Sequence, residues 1–257
     1  MIVSHPVAIA HLAPTMMKFY TDVEQTGGSN EFYDKFSIRH HIQVILMTLW
    51  EDTTYRTQMV EIALNSQEFV RFINMLMNDT TFLLDEAISS LKTIHEIQEE
   101  KKSEPWKTKT DELKQQTEKK LLQEERQVTS YLTLATRTLE TFHCLTKSIK
   151  KPFLKPEIAD RLTAMLNINL KQLCGERARE LKVENKEKYG WKPHEMLMLL
   201  TDLYLHLQCD QFIDFLAREE RSYSPELFTT AIETMTRTRV ITEDGVRQWK
   251  ELAEKVK

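Results

Sequence analysis

An all-α fold follows from three features of the sequence. Glycine occurs only 5 times and proline 7 times in 257 residues, well below the usual ~7% and ~5%, so turn-rich sandwiches, barrels and glycine-loop nucleotide folds lack their raw material. Apolar residues recur at three- and four-residue steps almost throughout, the period of one helix face, with no long strand-like alternation between them. A content of 41% hydrophobic and 29% charged residues suits a folded chain with a sizeable core and is too apolar for a disordered one.

The elements can be read in order. After a break at Gly27-Gly28-Ser29-Asn30, residues Phe32, Phe36, Ile42, Ile45, Leu46 and Leu49 mark an amphipathic helix ending near Trp50. Asn65 and Glu68 are expected to form a capping box, each side chain satisfying a free backbone N–H at the start of the next helix. Phe69, Phe72, Ile73 and Leu76 supply its buried stripe, and Leu84, Ala87, Ile88, Leu91 and Ile94 continue it to about Gln98, with a bend expected near Asn78 to Thr80. From Gln98 to Lys120, 13 of 23 residues are charged, six acidic and seven basic. This reads as a solvated hairpin tip broken at Pro105, with a weak local field because the signs are mixed. From Leu121 the pattern resumes through Val128, Leu132, Ala135, Leu139, Phe142 and Ile149, widened by Tyr131, Leu134 and Leu145. A face that broad packs against more than one neighbour, and the two stretches together predict one long antiparallel αα-hairpin.

The second arm stops at Lys150-Lys151-Pro152-Phe153-Leu154-Lys155-Pro156, where lysines suit the negative end of the helix dipole and prolines cannot continue the helix. Helices then follow over about Glu157 to Cys174 (ended by Gly175), Pro193 to Leu207, Gln211 to Arg218, Ser224 as N-cap to about Arg237, and Thr242 onward. Roughly ten helices on short links predict an armadillo/HEAT-like α-solenoid of stacked helical hairpins, one unit over residues 1–257. No residue pattern recurs at the ~40 to 47 spacing of such arrays, so any repeat is structural only. The last segment, Trp249 to Lys257, runs out on helix-forming residues without a cap, the pattern expected of a piece of a longer chain.

Charge and cysteine usage bound the surroundings. A formal charge of −4 offers no bulk attraction to nucleic acid or acidic membranes. Three widely spaced cysteines, Cys144, Cys174 and Cys209, without a Cys-x-x-Cys pair, fit reduced, packed thiols in a cytoplasmic or nuclear setting. Ala8-x-Ala10 lacks the basic start and apolar run of a secretory signal, and the longest apolar runs fall far short of the ~20 residues that span a bilayer. The sequon Asn78-Asp79-Thr80 carries little weight without secretion.

No catalytic, cofactor-binding or metal-ligating residue is assigned. Glu140-x-x-His143 resembles half of a di-iron carboxylate site, but no second Glu-x-x-His pair exists. His95-Glu96-Ile97-Gln98-Glu99 begins like a zinc-protease motif and has Glu where the second histidine must stand. His206 and Cys209 lack a nearby second pair of ligands, and Gly27-Gly28 has no lysine placed for a phosphate loop. Asp79, Asp85 and Glu86 are read as an N-cap with a first-turn dipole arrangement. Lys147, Lys150, Lys151 and Lys155 are read as dipole compensation, with an acidic partner as the functional alternative, and Trp106 as a cap over the hairpin end.

Several segments resemble a known family. Phe69-Val-Arg-Phe-Ile-Asn-Met-Leu-Met-Asn-Asp-Thr-Thr-Phe-Leu-Leu-Asp-Glu86 is similar to the core region of the ubiquitin conjugation factor E4 family, the U-box ubiquitin-chain elongation factors. Met17 to Glu24, Glu31 to Phe36, Lys151 to Pro156, Met165 to Gly175, Lys182 to Gly190 and Ser222 to Phe228 extend the likeness, in order, over nearly the whole chain. The resemblance implies a scaffold segment of a large cytoplasmic and nuclear ligase that lengthens polyubiquitin chains on substrates bound for proteasomal degradation. It implies a catalytic U-box downstream of Val256, and partners comprising an E2 enzyme, ubiquitin, an AAA unfoldase of the valosin-containing class and proteasome shuttle factors. By that reading the segment alone is inactive and needs no cofactor. The alternative is a stand-alone α-solenoid adaptor without ligase activity.

Overall fold

The computed structural model describes residues 4–23, 32–175, 181, 183–219 and 221–256. Among these, eleven α-helices and no strand are found: α1 (Pro6–Asp22), α2 (Phe32–Glu51), α3 (Thr53–Asn65), α4 (Gln67–Lys102), α5 (Glu104–Thr108), α6 (Asp111–Ser148), α7 (Pro156–Cys174), α8 (Pro193–Leu207), α9 (Asp210–Arg218), α10 (Pro225–Thr238) and α11 (Glu243–Val256). Single 3₁₀ turns cover Lys151–Leu154 and Lys186–Tyr189. The all-α, solenoid-like class is as the sequence predicts. The Gly27–Asn30 break lies outside the described residues.

The spine is the hairpin of α4, 36 residues, and α6, 38 residues, about 54 and 57 Å long at 1.5 Å per residue. The predicted stripe is the buried one: Phe69, Phe72, Ile73, Leu76, Leu84, Ala87, Leu91 and Ile94 from α4 meet Val128, Leu132, Ala135, Leu139, Phe142 and Leu145 from α6. Each of these side chains larger than alanine contributes about 1.5–3 kcal/mol by leaving water. Each arm also holds one earlier and one later helix, α1 and α7 against α4, α2 and α8 against α6. That explains the breadth of both stripes. Helices α9 and α10 pack on α7, and α11 closes over both.

Local chemistry sets the boundaries. Asp52 Oδ1 accepts from the N–H groups of Thr54 and Tyr55 at 2.8 and 3.2 Å, starting α3. Arg56 donates to the carbonyls of Trp50 and Glu51 at 2.8 and 3.1 Å, closing α2. Gly175 ends α7 where a Cβ would stand 2.5 Å from the Lys171 carbonyl oxygen, so only glycine fits without a shift. Ser224 opens α10 by accepting from the Leu227 N–H at 3.1 Å, with Pro225 at the first turn.

Four expectations need correction. The cap of α4 is Ser66, which accepts from the Glu68 N–H at 3.0 Å; Asn65 is the last residue of α3, its amide donating back to Glu61 at 3.1 Å. α4 runs on as one helix through Asn78 to Thr80, so Asp79 lies inside it rather than at an N-cap, its side chain in a buried ion pair described below. Pro105 does not break a helix but opens α5, where its missing N–H costs nothing. Ile45, counted in the α2 stripe, is 42% exposed.

Beyond Ile97 the hairpin leaves the core, and no residue from 98 to 127 is buried. The first 17 residues of α6 thus project about 25 Å before Val128. One strap crosses their base. Tyr189, buried in the second 3₁₀ turn, donates to Glu125 Oε1 at 2.8 Å, and Lys188 pairs with Glu125 Oε2 at 2.8 Å. From the other arm, Gln98 Oε1 accepts from the Glu184 N–H at 2.9 Å, and Lys102 pairs with Glu184 at 3.0 Å. Asn185 and Gly190, both at positive φ, turn the chain into and out of this strap.

Candidate functional site

Three places gather polar chemistry. The deepest is a chain of side chains linking four helices. Arg39 of α2, 1% exposed, donates through Nη1 to Asp79 Oδ1 of α4 at 2.8 Å and through Nε to the Tyr20 carbonyl of α1 at 3.1 Å. The Tyr20 hydroxyl donates to Asp79 Oδ2 at 2.6 Å and accepts from Gln43 Nε2 at 3.1 Å. Thr141 of α6 reaches Gln43 Oε1 at 3.2 Å. Burial, and then the Asp79 charge and hydrogen bond, push the Tyr20 hydroxyl well above its ordinary pKa, against the opposing pull of Arg39 and Gln43. The Arg39 guanidinium also lies 5.2 Å from the Tyr20 ring centroid. Every group faces another group of the network, so the arrangement fixes α1, α2, α4 and α6 in one register. Asp79 is therefore no helix cap. Asp85, six residues on, accepts from Gln172 of α7 at 3.0 Å.

The second place lies where α8 meets α6. His143 Nε2 is 3.0 Å from Asp202 Oδ2, the His143 and His206 ring centroids are 4.9 Å apart, and His206 Nδ1 is 3.0 Å from Thr146 Oγ1. One ligand atom from each of His143, Asp202 and His206 lies within 4.8 Å of the other two. Burial, then the nearby His143, lower the His206 pKa; Asp202 opposes them, and Lys147 and Lys150 add to the lowering. The fold supplies what the sequence could not. Asp202 and His206 share a face of α8 as an i, i+4 pair, and His143 comes from 59 residues earlier than Asp202. Neither Glu140 nor Cys209 joins the cluster: Glu140 pairs with Arg137 at 2.9 Å, and Cys209 is the exposed N-cap of α9. Only the i, i+4 spacing of Asp202 and His206 was there to be noticed.

The third place is the hairpin tip and its flank. An open groove of 1210 Å³ runs beside α6, with Lys119, Lys120, Arg126 and Lys188 on its walls next to Leu122 and Glu125. Trp106 is half-buried in α5, with Lys109 Nζ 5.4 Å from its ring centroid. Glu96 faces Lys92 at 3.9 Å and Glu99 pairs with Lys102 at 2.6 Å, as on a solvated helix face. In the basic cluster, Lys155 donates to the carbonyls of Leu64 and Ala63 at 2.6 and 3.4 Å. It thereby neutralises the C-terminus of α3 rather than that of α6, where Lys147 stands in the last turn.

Two of the thiols are held in surroundings that disfavour the thiolate or cover the sulfur. Burial raises the pKa of Cys144, Glu51 adds to the rise, and Arg56 and Lys147 oppose it; a reactive cysteine needs the opposite direction. Cys174 is buried in α7. No helix among the described residues is long and apolar enough to cross a membrane.

Comparison with known proteins places the chain in a family. Residues 1–257 match the family model "Ubiquitin elongating factor core". The chain is 37% identical over 253 residues to Ubiquitin conjugation factor E4 ufd-2 of Caenorhabditis elegans, covering 98% of this chain and 25% of that protein. It is 36% identical over 253 residues to Ubiquitin conjugation factor E4 of Schizosaccharomyces pombe, covering 97% and 25%. Against E4 ubiquitin-protein ligase UFD2 of Saccharomyces cerevisiae it is 36% identical over 235 residues, covering 88% and 24%. The chain thus spans about a quarter of the length of the curated relatives it matches. With the whole sequence matched and every described helix packed as an all-α stack, the chain belongs to the ubiquitin elongating factor core family, the core region of ubiquitin conjugation factors E4.

Proposed function

We propose that this chain is a positioning segment of an E4-type U-box ubiquitin ligase. Its stacked helices hold the ligase's catalytic module and the E2 bound there at a set distance from a ubiquitin-bearing substrate. Fixing two reactants in orientation is itself a large catalytic effect, because it removes translational and rotational entropy from the encounter. The observation that carries this reading is the full-length match to the elongating-factor core. The hairpin spine, braced on both arms and locked by a buried ion pair, supports it.

In the proposed reaction an acceptor-ubiquitin lysine attacks the E2 thioester, releasing the E2 thiol, with no covalent intermediate on this chain. The raised pKa of Cys144 accords with that role. E2 and ubiquitin are the partners of the chemistry. An AAA unfoldase of the valosin-containing class and proteasome shuttle factors, in cytoplasm and nucleus, are the partners the family reading adds, with proteasomal degradation as the outcome.

The test is chain synthesis with E1, E2, ubiquitin and ATP. The chain by itself is expected to build no polyubiquitin, and a version extended through a downstream U-box is expected to build it. Chain synthesis by the isolated segment above a no-segment control overturns the scaffold role. An extended coding sequence that ends without a U-box favours the adaptor.

A further inference from the structure

We propose that His143, Asp202 and His206 form a binding site for a zinc-class divalent ion that clips α8 to the second arm of the hairpin. Two imidazoles and one carboxylate are a donor set zinc accepts, with water completing four-coordination. The separations suit it. Two ligands at about 2.0–2.1 Å on a tetrahedral ion lie roughly 3.3 Å apart, and His143 Nε2 and Asp202 Oδ2 already stand at 3.0 Å. The third donor is within 4.8 Å of both, a gap that a small side-chain rotation on α8 closes.

A second observation concerns the hydrogen-bond partner of His206. The Thr146 hydroxyl lies 2.9 Å from the Phe142 carbonyl oxygen, 3.4 Å from that of His143 and 3.0 Å from His206 Nδ1. When that hydroxyl donates to a carbonyl, its oxygen accepts from the His206 Nδ1–H and leaves the lone pair on Nε2. A hydrogen bond from one ring nitrogen that fixes the tautomer and frees the other is what holds histidine ligands in metal sites. Access is open as well: the His143 and Asp202 side chains are 26% and 34% exposed, so an ion can enter without unfolding the interface.

The experiment uses the intact chain, stripped with a chelator and dialysed, then titrated with Zn²⁺ by calorimetry and with Co²⁺ by visible absorption. One equivalent per chain is expected, with tetrahedral cobalt bands and an upward shift of the thermal midpoint. His143→Ala and Asp202→Asn should each weaken binding beyond the roughly 10–100-fold typical of losing an outer partner, and Thr146→Val should fall within that range. Cys209→Ser should leave it unchanged. Circular dichroism on each variant separates loss of the site from loss of the fold. No saturable binding to the wild-type chain leaves His143–Asp202 as an ordinary hydrogen bond and overturns the proposal. So does binding that survives His143→Ala in a folded chain, or that disappears with Cys209→Ser.

Discussion

The two ends of the molecule are held together by opposite means. At the N-terminal end, α1, α2, α4 and α6 converge on a charged, hydrogen-bonded node of Tyr20, Arg39, Gln43, Asp79 and Thr141. At the C-terminal end, α8, α9, α10 and α11 converge on rings. Tyr204 lies 4.9 Å from Trp249, 5.7 Å from Phe228 and 6.3 Å from Phe212, and Phe228 lies 5.2 Å from both Trp249 and Tyr223. The Tyr204 hydroxyl donates to a neutral partner, Asn167 Oδ1, at 2.8 Å, and the Trp249 indole N–H has no acceptor among the described residues. A node of charges tolerates one geometry, whereas rings packed edge-to-face or tilted tolerate a range of offsets. The first end is thus specified by direction, the second by volume.

The largest effect should come from breaking the node on one side. Asp79→Ala leaves the Arg39 charge buried and is expected to cost about 3–5 kcal/mol, read by urea unfolding, whereas the double change Arg39→Met with Asp79→Leu should be milder than either single change. A double mutant worse than Asp79→Ala would show that hydrogen-bond direction, not charge burial, dominates.

Alkaline pH should come next. The buried hydroxyls of Tyr20 and Tyr204 both have pKa values raised well above 10.0, chiefly by burial, with Asp79 adding to the first and Cys174 to the second. The folded state then keeps protons that the unfolded state releases. Stability is fully present below about pH 10 and falls as pH rises beyond it. Tyr20→Phe and Tyr204→Phe should each remove about one proton from the slope of stability against pH, and an unchanged slope would refute the assignment for that residue.

The smallest effect is expected at the aromatic end. Trp249→Phe makes a small cavity but removes an unpaired buried N–H, so a cost of only about 1–2 kcal/mol is expected in the same unfolding assay. A larger loss would mean that the indole shape, not its bulk, sets the ring packing.

Legibility in the sequence divides along the same line. Apolar spacing marks the hairpin arms, and the stripes from Phe69 to Ile94 and from Val128 to Leu145 are the buried ones. Chain punctuation locates Gly175, Pro193 and Ser224 at helix ends, where the structure has them. Polar residues inside helices were opaque. Asp79 reads as a cap because most helical carboxylates meet water, and nothing local announces an arginine 40 residues away. His143 and Asp202 are hidden for the same reason, since a pairing across 59 residues is decided by which helices touch. Ser66 was missed in favour of Asn65 because both are good caps, and only the backbone of Ser66, extended at φ −107 and ψ 143, is free to serve.

The strap across Gln98 and Glu125 has a mechanical consequence. It lies at the fulcrum of a lever whose free arm is the charged tip and whose other side is the braced spine. The same 3₁₀ turn runs on through Trp191 to the start of α8 at Pro193. Any deflection of the tip must therefore break the Tyr189–Glu125 and Gln98–Glu184 hydrogen bonds or carry with it the short segment that leads into α8.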